Sequence, residues 1–297
     1  MRFRRLIPLL LAGGSTLLTT SCASSAYERM GRLERDVRHA LAREAGETVP
    51  SLWLARFDGR EALAINPDRP VSGASTLKIL LLVEAHAQAA AGTFPWDGDT
   101  TLLEEDVVGG TGSLQNERSG STWTWRQIVR RMILESDNTA ANMVLARLGM
   151  DRVNARAAAL GLAVTRFERK YMDFEAQRAG RENRTTAREM GKLCLGIARR
   201  EVVSPAACDE MIALLEGTSR GRVAAGVPKA IPVGHKSGWM RGMRADVGWV
   251  RVPGQPYVLS VFLDNVYEKP GAEDDRGVGA IEAVARLVFE AMGPGDE

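Results

Sequence analysis

The chain has 297 residues, of which 45% are hydrophobic, and a formal net charge of +2. This length and hydrophobic content allow a single α/β domain with a sizeable core, and the near-neutral charge gives no reason to expect a nucleic-acid partner. The three histidines, His39, His86 and His235, are too few and too scattered for a metal cluster, so we expect neither a metal nor another cofactor.

Residues 1–26 have the features of an export leader followed by a short tether. A basic start, MRFRR, precedes an apolar run over residues 6–18 that is too short for a comfortable membrane span. Cleavage could follow Ala26, whereas Cys22 in LLTTSC resembles the processing site of bacterial lipoproteins, and Arg4-Arg5 is compatible with twin-arginine export. We expect an exported protein, either periplasmic or anchored to the membrane by a lipid on Cys22.

The segment after the leader predicts a helix and then a hairpin. RMGRLERDVRHALARE carries apolar residues at helical spacing over residues 29–44. Two alternating segments, 51–58 and 61–66, follow on either side of Asp58-Gly59, a dipeptide typical of a hairpin turn.

Residues 71–216 are mainly helical in pattern. Helices are predicted over 123–134 and 139–149, with a short connection between them. Gly109-Gly110-Thr111-Gly112 neither follows a clear strand nor opens a helix with a lysine, so we predict a plain turn rather than a phosphate loop. Cys194 and Cys208 fall in helix-like segments, where free, packed thiols are favoured over a disulfide.

The end of the chain returns to strands. Segments 231–237, 245–252 and 257–265 have a period of two, Pro253-Gly254 forms the turn between the last two, and 277–292 is an amphipathic helix. The predicted fold is α/β, of the α+β type. A five-stranded antiparallel sheet (residues 27–70 and 217–297) would be flanked by N- and C-terminal helices and interrupted by a helical lobe (71–216), all within one domain, 27–297.

The segment VSGASTLKILLLVE places a hydroxyl and an amine one helical turn apart. Ser75 and Lys78 are three positions apart, so on a helix they share a face. The apolar run that follows predicts a buried helix, and desolvation there would favour the neutral form of Lys78, which can take a proton from a serine. At a helix start, Ser75 would also lie beside unpaired backbone N–H groups. The alternatives are an N-cap serine and a solvent-exposed lysine.

Two further motifs lie downstream. Ser136-Asp137-Asn138 occurs in ILESDNTAANMVLARLG, and Lys236-Ser237-Gly238 occurs in VGHKSGWMRG. Together with Ser-x-x-Lys, and in this order, they are the motif set of class A β-lactamases and penicillin-binding proteins. Over roughly residues 51–293 the sequence therefore resembles the class A β-lactamase-like serine hydrolases.

The resemblance implies a role for each residue of the first two motifs. Ser75 would be the nucleophile and Lys78 its base. Ser136 would pass a proton to the leaving nitrogen, and Asn138 would orient Lys78 and the substrate. We assign Asp137 to capping of the next helix, and an N-cap cluster is the alternative interpretation of the whole triplet.

The resemblance also implies a substrate-binding strand at the edge of the sheet. Lys236 would attract the carboxylate that penicillin-like molecules carry, and Ser237 would hydrogen-bond the same group. Gly238 would let the substrate backbone approach the strand closely.

Two residues beyond this triplet complete the implied binding site. The backbone N–H of Trp239 would form the oxyanion hole together with that of Ser75. Arg244, in RGMR, is our choice for a further carboxylate-binding residue, and the alternative is that Arg241 and Arg244 are solvated surface residues.

One loop departs from the family pattern. In class A enzymes it carries Arg-x-Glu-x-x-Leu-Asn, whose glutamate activates the deacylating water. Counting from Arg169 puts Tyr171 at the glutamate position and Glu175 at the asparagine position. Arg184 stands where an acid would pair with Arg169, so we expect that ion pair to be absent. Asp173 and Glu175 are the nearest acids, and a differently folded loop could bring one of them to the water.

Three hypotheses follow. The first is an exported monomeric hydrolase that opens β-lactams through an acyl-enzyme on Ser75, with Asp173 or Glu175 as a relocated base. The second is a D-alanyl peptidase or esterase on the same scaffold. The third is a non-turnover β-lactam-binding protein, since loss of one general base typically costs ~10²–10⁴-fold in rate.

Overall fold

The computed structural model describes residues 17–219, 221–266 and 275–293, with side chains from residue 28 onward. The Arg4-Arg5 pair and most of the predicted apolar run lie outside the described residues, as do the side chains of Cys22 and Ala26. Among the helices in these ranges, none combines the length and the apolar character needed to cross a membrane.

The strands include one central sheet and two short ribbons. In chain order they are β1 (Val49–Arg56), β2 (Glu61–Ile65), β3 (Val71–Ser72), β4 (Asp99–Thr101), β5 (Thr122–Thr124), β6 (Arg184–Thr185), β7 (Val233–Met240), β8 (Gly242–Val250) and β9 (Tyr257–Val266). The sheet is five-stranded and antiparallel, in the order β2-β1-β9-β8-β7, which confirms the predicted fold class and leaves β7 at an edge. The ribbons pair β3 with β6 and β4 with β5 within the helical lobe.

The helices agree with the predicted segments to within a few residues, except at the N-terminus. They are α1 (Leu17–Ala45), α2 (Lys78–Ala90), α3 (Trp125–Leu134), α4 (Asn138–Leu148), α5 (Met150–Ala159), α6 (Phe174–Arg178), α7 (Ala187–Ala198), α8 (Pro205–Glu216) and α9 (Arg276–Met292). Helix α1 begins twelve residues before the predicted helix and takes in the expected tether. No glycine or proline interrupts the chain between Leu17 and Met30, so nothing there stops the helix.

Two cores lie on opposite faces of the sheet because side chains alternate along each strand. On β1, Leu52 and Leu54 pack with α1 and α9, whereas Trp53 and Ala55 join the larger core shared with the helical lobe. Cys194 and Cys208 are buried, free thiols in the larger core region.

Helix α2 crosses the centre of the lobe. Its first eight residues are all buried, and Ile79–Val83 have no exposed surface. A helix that is apolar on every side must be surrounded by other elements, and α2 contacts α3, α4, α5 and α8. This burial fixes the start of α2, and with it Lys78.

Candidate active site

Ser75 lies in a short 3₁₀ turn, Ala74–Leu77, immediately before α2. Gly73 precedes the turn because any Cβ there would come within 2.4 Å of the Leu77 side chain. The hydroxyl of Ser75 makes no capping hydrogen bond, so the N-cap alternative is not what the structure shows. Ser75 is half-buried, whereas its neighbours Thr76 and Leu77 have no exposed surface.

Lys78 is completely buried beneath this turn, and not exposed to solvent. Its Nζ lies 2.5 Å from the carbonyl oxygen of Ser136, 2.9 Å from Oδ1 of Asn138 and 3.3 Å from Oγ of Ser136. Burial, reinforced by the nearby charge of Lys236, lowers the pKa of Lys78 well below its usual 10.5, although Asp137 opposes the shift. The amine is therefore held toward its neutral form.

The three contacts of Lys78 are to atoms that can accept a hydrogen bond, so they suit the three donors of an ammonium and also a neutral amine. Such an amine has two N–H donors and one lone pair. The Ser136 carbonyl and Asn138 Oδ1 can only accept, so they take both donors. In the neutral form the lone pair is left for the Ser136 hydroxyl, whose Oγ lies 3.3 Å away.

Ser136 stands between two amines. Lys236 Nζ donates to its Oγ over 2.9 Å, and Lys78 Nζ lies 3.3 Å from the same atom. Ser136 also has a φ of 55°, an uncommon conformation for a residue with a side chain. The side chain of Asp137 caps α4 by accepting from the N–H of Ala140 over 2.8 Å, the structural role predicted for it.

Lys236 reaches the site from the edge strand β7 and is 3% exposed. Burial lowers its pKa from 10.5 to about 8, against the opposing attraction of Asp246 and with a smaller contribution from Arg222. Asp246 is itself fully buried and contacts Nδ1 of His235 at 2.9 Å, so His235 is a packed core residue.

Strand β7 runs directly against the Ser75 turn. A Cβ on Gly238 would lie 3.2 Å from Thr76 and 3.3 Å from Ala74, so the glycine lets strand and turn meet. The family resemblance implied that Gly238 lets the substrate approach the strand. What the structure shows is a second role, the close packing of β7 against the Ser75 turn. Ser237 is half-buried beside it, and the ring of Trp239 is 55% exposed.

Arg244 is buried, not solvated. Its guanidinium donates to the carboxylate of Asp275 over 2.5 Å and to the carbonyls of Met240 and Met243, and it lies 4.9 Å from the Trp239 ring centre. A substrate carboxylate would have to share Arg244 with Asp275.

Tyr171, which the count along the sequence puts at the family glutamate position, is buried beside Lys78. Lys78 Nζ is 4.7 Å from the centre of its ring, and its hydroxyl donates to the carbonyl of Ala74 over 3.2 Å. Asn142 fixes the Tyr171 backbone with two hydrogen bonds of 2.8 and 3.0 Å. Burial raises the pKa of the phenol above its usual range, so Tyr171 cannot act as a base near neutral pH. Asn142, the last residue of SDNTAAN, was not singled out in the sequence.

The loop that carries Tyr171 is held by an ion pair that the sequence analysis did not expect. Arg169, 8% exposed, donates to Glu182 over 2.8 Å, and Asn183 bonds the backbone of Arg169. Arg184 is not the partner of Arg169, as expected, and the acid that pairs with Arg169 is Glu182, two residues earlier in the chain.

The two carboxylates considered as relocated bases do not reach the Ser75–Lys78 pair. The carboxylate of Asp173 caps α6 by accepting from the N–H of Ala176 over 2.9 Å. Glu175 is exposed on α6 and makes neither an ion pair nor a hydrogen bond through its side chain with any other described residue. One side chain is thus engaged within its own loop and the other faces solvent, and the side chain that contacts Lys78 from this loop is that of Tyr171.

Comparisons with known proteins agree with this geometry. A sequence model described as the β-lactamase enzyme family matches residues 32–292. A β-lactamase of Streptomyces albus G is 31% identical over 195 residues, which make up 62% of this chain and only 59% of that protein.

Solved structures extend the likeness over most of the chain. A β-lactamase from Sphaerobacter thermophilus has a TM-score of 0.79 at 26% identity, covering 87% of this chain and 97% of that one. PBP-A has a TM-score of 0.78 at 26% identity, covering 88% and 95%. A mutant of PBP-A has been solved as an acyl-enzyme complex with penicillin G.

Proposed function

Because the chain belongs to the β-lactamase enzyme family, we propose that it is a serine hydrolase that opens β-lactam amides through an acyl-enzyme on Ser75. The observation that carries the proposal is the buried amine of Lys78, whose two acceptors leave a lone pair for the neighbouring hydroxyls. A buried, neutral lysine one turn from a half-buried serine is the arrangement needed to activate a serine nucleophile.

Acylation would involve three proton transfers. Ser75 Oγ attacks the β-lactam carbonyl while its proton passes to Lys78. The carbonyl oxygen becomes an oxyanion, which we assign to the backbone N–H groups of Ser75 and Trp239. As the C–N bond of the ring breaks, the nitrogen takes the proton of Ser136 Oγ, and Lys78 returns a proton to Ser136. The 3.3 Å separation of Lys78 Nζ and Ser136 Oγ supports this relay.

Binding of the substrate would depend on the edge strand. Lys236 would supply the positive charge for an anionic group, and Ser237 a hydroxyl beside it. Asn138, whose amide accepts from Lys78 and donates to the carbonyl of Gly109, would act by orienting Lys78. Arg244 would add a second charge where Asp275 permits it.

Lys236 gives the reaction a pH dependence. Its ammonium is the form present below a pKa of about 8, so attraction of an anionic substrate is complete below that pH and is lost above it. We expect the acylation rate constant for penicillin G, divided by that for an uncharged ester, to fall about tenfold between pH ~7 and ~9.5. Intact-protein mass spectrometry measures both rates.

The matched variant for this test is Lys236→Arg, which keeps its charge over the whole range. Its ratio should stay level with pH. A wild-type ratio that is equally level would show that Lys236 does not recognise the anionic group.

Hydrolysis of the acyl-enzyme is the step for which the site is poorly equipped. Counting along the sequence assigns Tyr171 to the position of the family carboxylate, and its ring lies beside Lys78, while Asp173 caps a helix and Glu175 faces solvent. We propose that deacylation is slow. Asp173→Asn and Glu175→Gln should leave the lifetime of the acyl-enzyme unchanged, and a longer lifetime in either would assign the base to that residue.

A second candidate is a D-alanyl peptidase or esterase on the same scaffold. The observation that favours it is Tyr171 beside Lys78, together with the likeness to PBP-A. Under this alternative β-lactams act as slow acylating inhibitors and a D-alanyl peptide or simple ester is turned over.

Turnover assays separate the candidates. The first predicts hydrolysis of nitrocefin that is slow, because deacylation limits it, yet faster than hydrolysis of a D-alanyl peptide or ester, and the second predicts the reverse order. In both cases Ser75→Ala should abolish the activity. Activity that survives in Ser75→Ala would contradict both.

We also propose export, on the strength of the basic and apolar leader. Whether Cys22 carries a lipid is tested by expressing the full chain and Cys22→Ala in a bacterium. Release of the variant alone from the membrane fraction supports a lipid anchor, and release of both forms contradicts it.

A further inference from the structure

Ser136 is held in an unfavourable backbone conformation at the centre of the proposed proton relay. Its φ of 55° costs free energy for a residue with a Cβ, so the surrounding contacts must maintain it. Two donors converge on its carbonyl oxygen: Lys78 Nζ at 2.5 Å and Thr111 Oγ1 at 2.7 Å. Of these two hydrogen-bond donors, Lys78 belongs to a catalytic motif and Thr111 does not.

Thr111 belongs to the glycine-rich segment that the sequence analysis predicted as a plain turn. The segment interlocks with the SDN triplet: the carbonyl of Thr111 accepts from the N–H of Asn138 over 3.1 Å, and the carbonyl of Gly109 accepts from Asn138 Nδ2 over 3.2 Å. The turn thus fixes both the backbone and the side chain of Asn138.

Glycine is required at positions 110 and 112 because the backbone there lies very close to the side chains of the SDN triplet. A Cβ on Gly110 would come within 2.5 Å of Asn138 Nδ2, and one on Gly112 within 2.2 Å of Asp137 Cγ. Both glycines also have a positive φ, 94° and 100°, which favours glycine. Gln115 holds the turn closed by donating to the carbonyls of both glycines.

We propose that Thr111 is a positioning residue of the active site, whose hydroxyl holds the Ser136 carbonyl where it accepts from Lys78. This inference rests on the proposed function for its kinetic consequence. With the carbonyl fixed, one N–H of Lys78 is committed and the lone pair keeps its direction. Without the Thr111 hydrogen bond, Ser136 can relax toward an ordinary φ, and both its carbonyl and its hydroxyl move relative to Lys78.

The test compares Thr111→Val, which keeps the shape of the side chain and removes the hydroxyl, with Thr111→Ser, which keeps the hydroxyl. Thr111 is exposed, so neither change disturbs the core. We expect Thr111→Val to slow acylation of Ser75 by penicillin G about three- to tenfold, the worth of one hydrogen bond, with unchanged non-covalent affinity. Thr111→Ser should restore the rate. Thr101→Val, at an exposed threonine of β4, is the matched control and should acylate as the wild type does.

Hydrogen exchange of the Asn138 amide gives a readout that does not depend on acylation. It should be faster in Thr111→Val than in the wild type or Thr111→Ser. Equal exchange in all three would overturn the proposal whether or not the wild type acylates. Equal acylation rates in the wild type and Thr111→Val would overturn it too. Absence of any adduct in the wild type would instead count against the proposed function.

Discussion

Replacing Lys78 by methionine is expected to slow acylation of Ser75 by about 10²–10⁴-fold, the usual cost of losing a general base. The reason is the burial of Lys78, which lowers its pKa and provides the neutral amine that Ser75 needs. The rate of adduct formation with penicillin G, followed by intact-protein mass spectrometry, measures the effect.

Lys78→Arg is the informative companion to this variant. A guanidinium stays protonated at all accessible pH values, so it can keep the hydrogen bonds to Ser136 and Asn138 but cannot accept a proton. It should be as slow as Lys78→Met. A Lys78→Arg protein that acylates at the wild-type rate would show that the positive charge matters and not the base.

Replacing Tyr171 by glutamate is expected to accelerate deacylation by about 10²–10⁴-fold, which would turn a persistent acyl-enzyme into a turnover enzyme. The ring centre of Tyr171 lies 4.7 Å from Lys78 Nζ and its backbone is fixed by Asn142, so a shorter carboxylate there has both an amine neighbour and room for a water. The measurement is the decay of the penicillin G adduct after excess antibiotic is removed.

Tyr171→Gln controls for the space that the smaller side chain opens. It should create the same room without a base, so its adduct should decay far more slowly than that of Tyr171→Glu. Equal decay in the two variants would mean that admitting water suffices and that no base is missing. Thermal unfolding of both proteins checks that the buried position tolerates the change.

The sheet was predictable because local patterns decide its strands. Alternation on either side of Asp58-Gly59 and of Pro253-Gly254 places four strands, whereas the edge position of β7 was implied by the family resemblance and not by the pattern of its residues. Helix ends were less predictable. Residues 17–28 carry no apolar periodicity of their own, and α1 extends through them only because no residue there breaks a helix.

The positions of the active-site residues were predictable where those residues belong to recognisable sequence motifs. Ser75 and Lys78 lie one turn apart along the chain, and the structure brings Ser136, Asn138 and Lys236 to them. The structure of the loop around Tyr171 was not predictable, because counting residues along the sequence assumes a fixed loop length. The count put the acidic partner of Arg169 at position 184, whereas the structure has it two residues earlier, at Glu182.

The role of Thr111 could not be read from the sequence. A glycine-rich turn has many uses, and only the approach of Gly110 and Gly112 to the SDN triplet shows what this one packs against. The same is true of Gly238, whose missing side chain makes room for Thr76 and Ala74.

The central claim is that Ser75 is a nucleophile activated by Lys78 in a site that acylates faster than it deacylates. It is tested most directly by the mass of the intact wild-type protein at successive times after mixing with penicillin G. We predict one added penicillin mass that appears quickly, maps to Ser75 and persists long after the free antibiotic is gone. An unchanged mass at every time, or an adduct that also forms on Ser75→Ala, would contradict the claim.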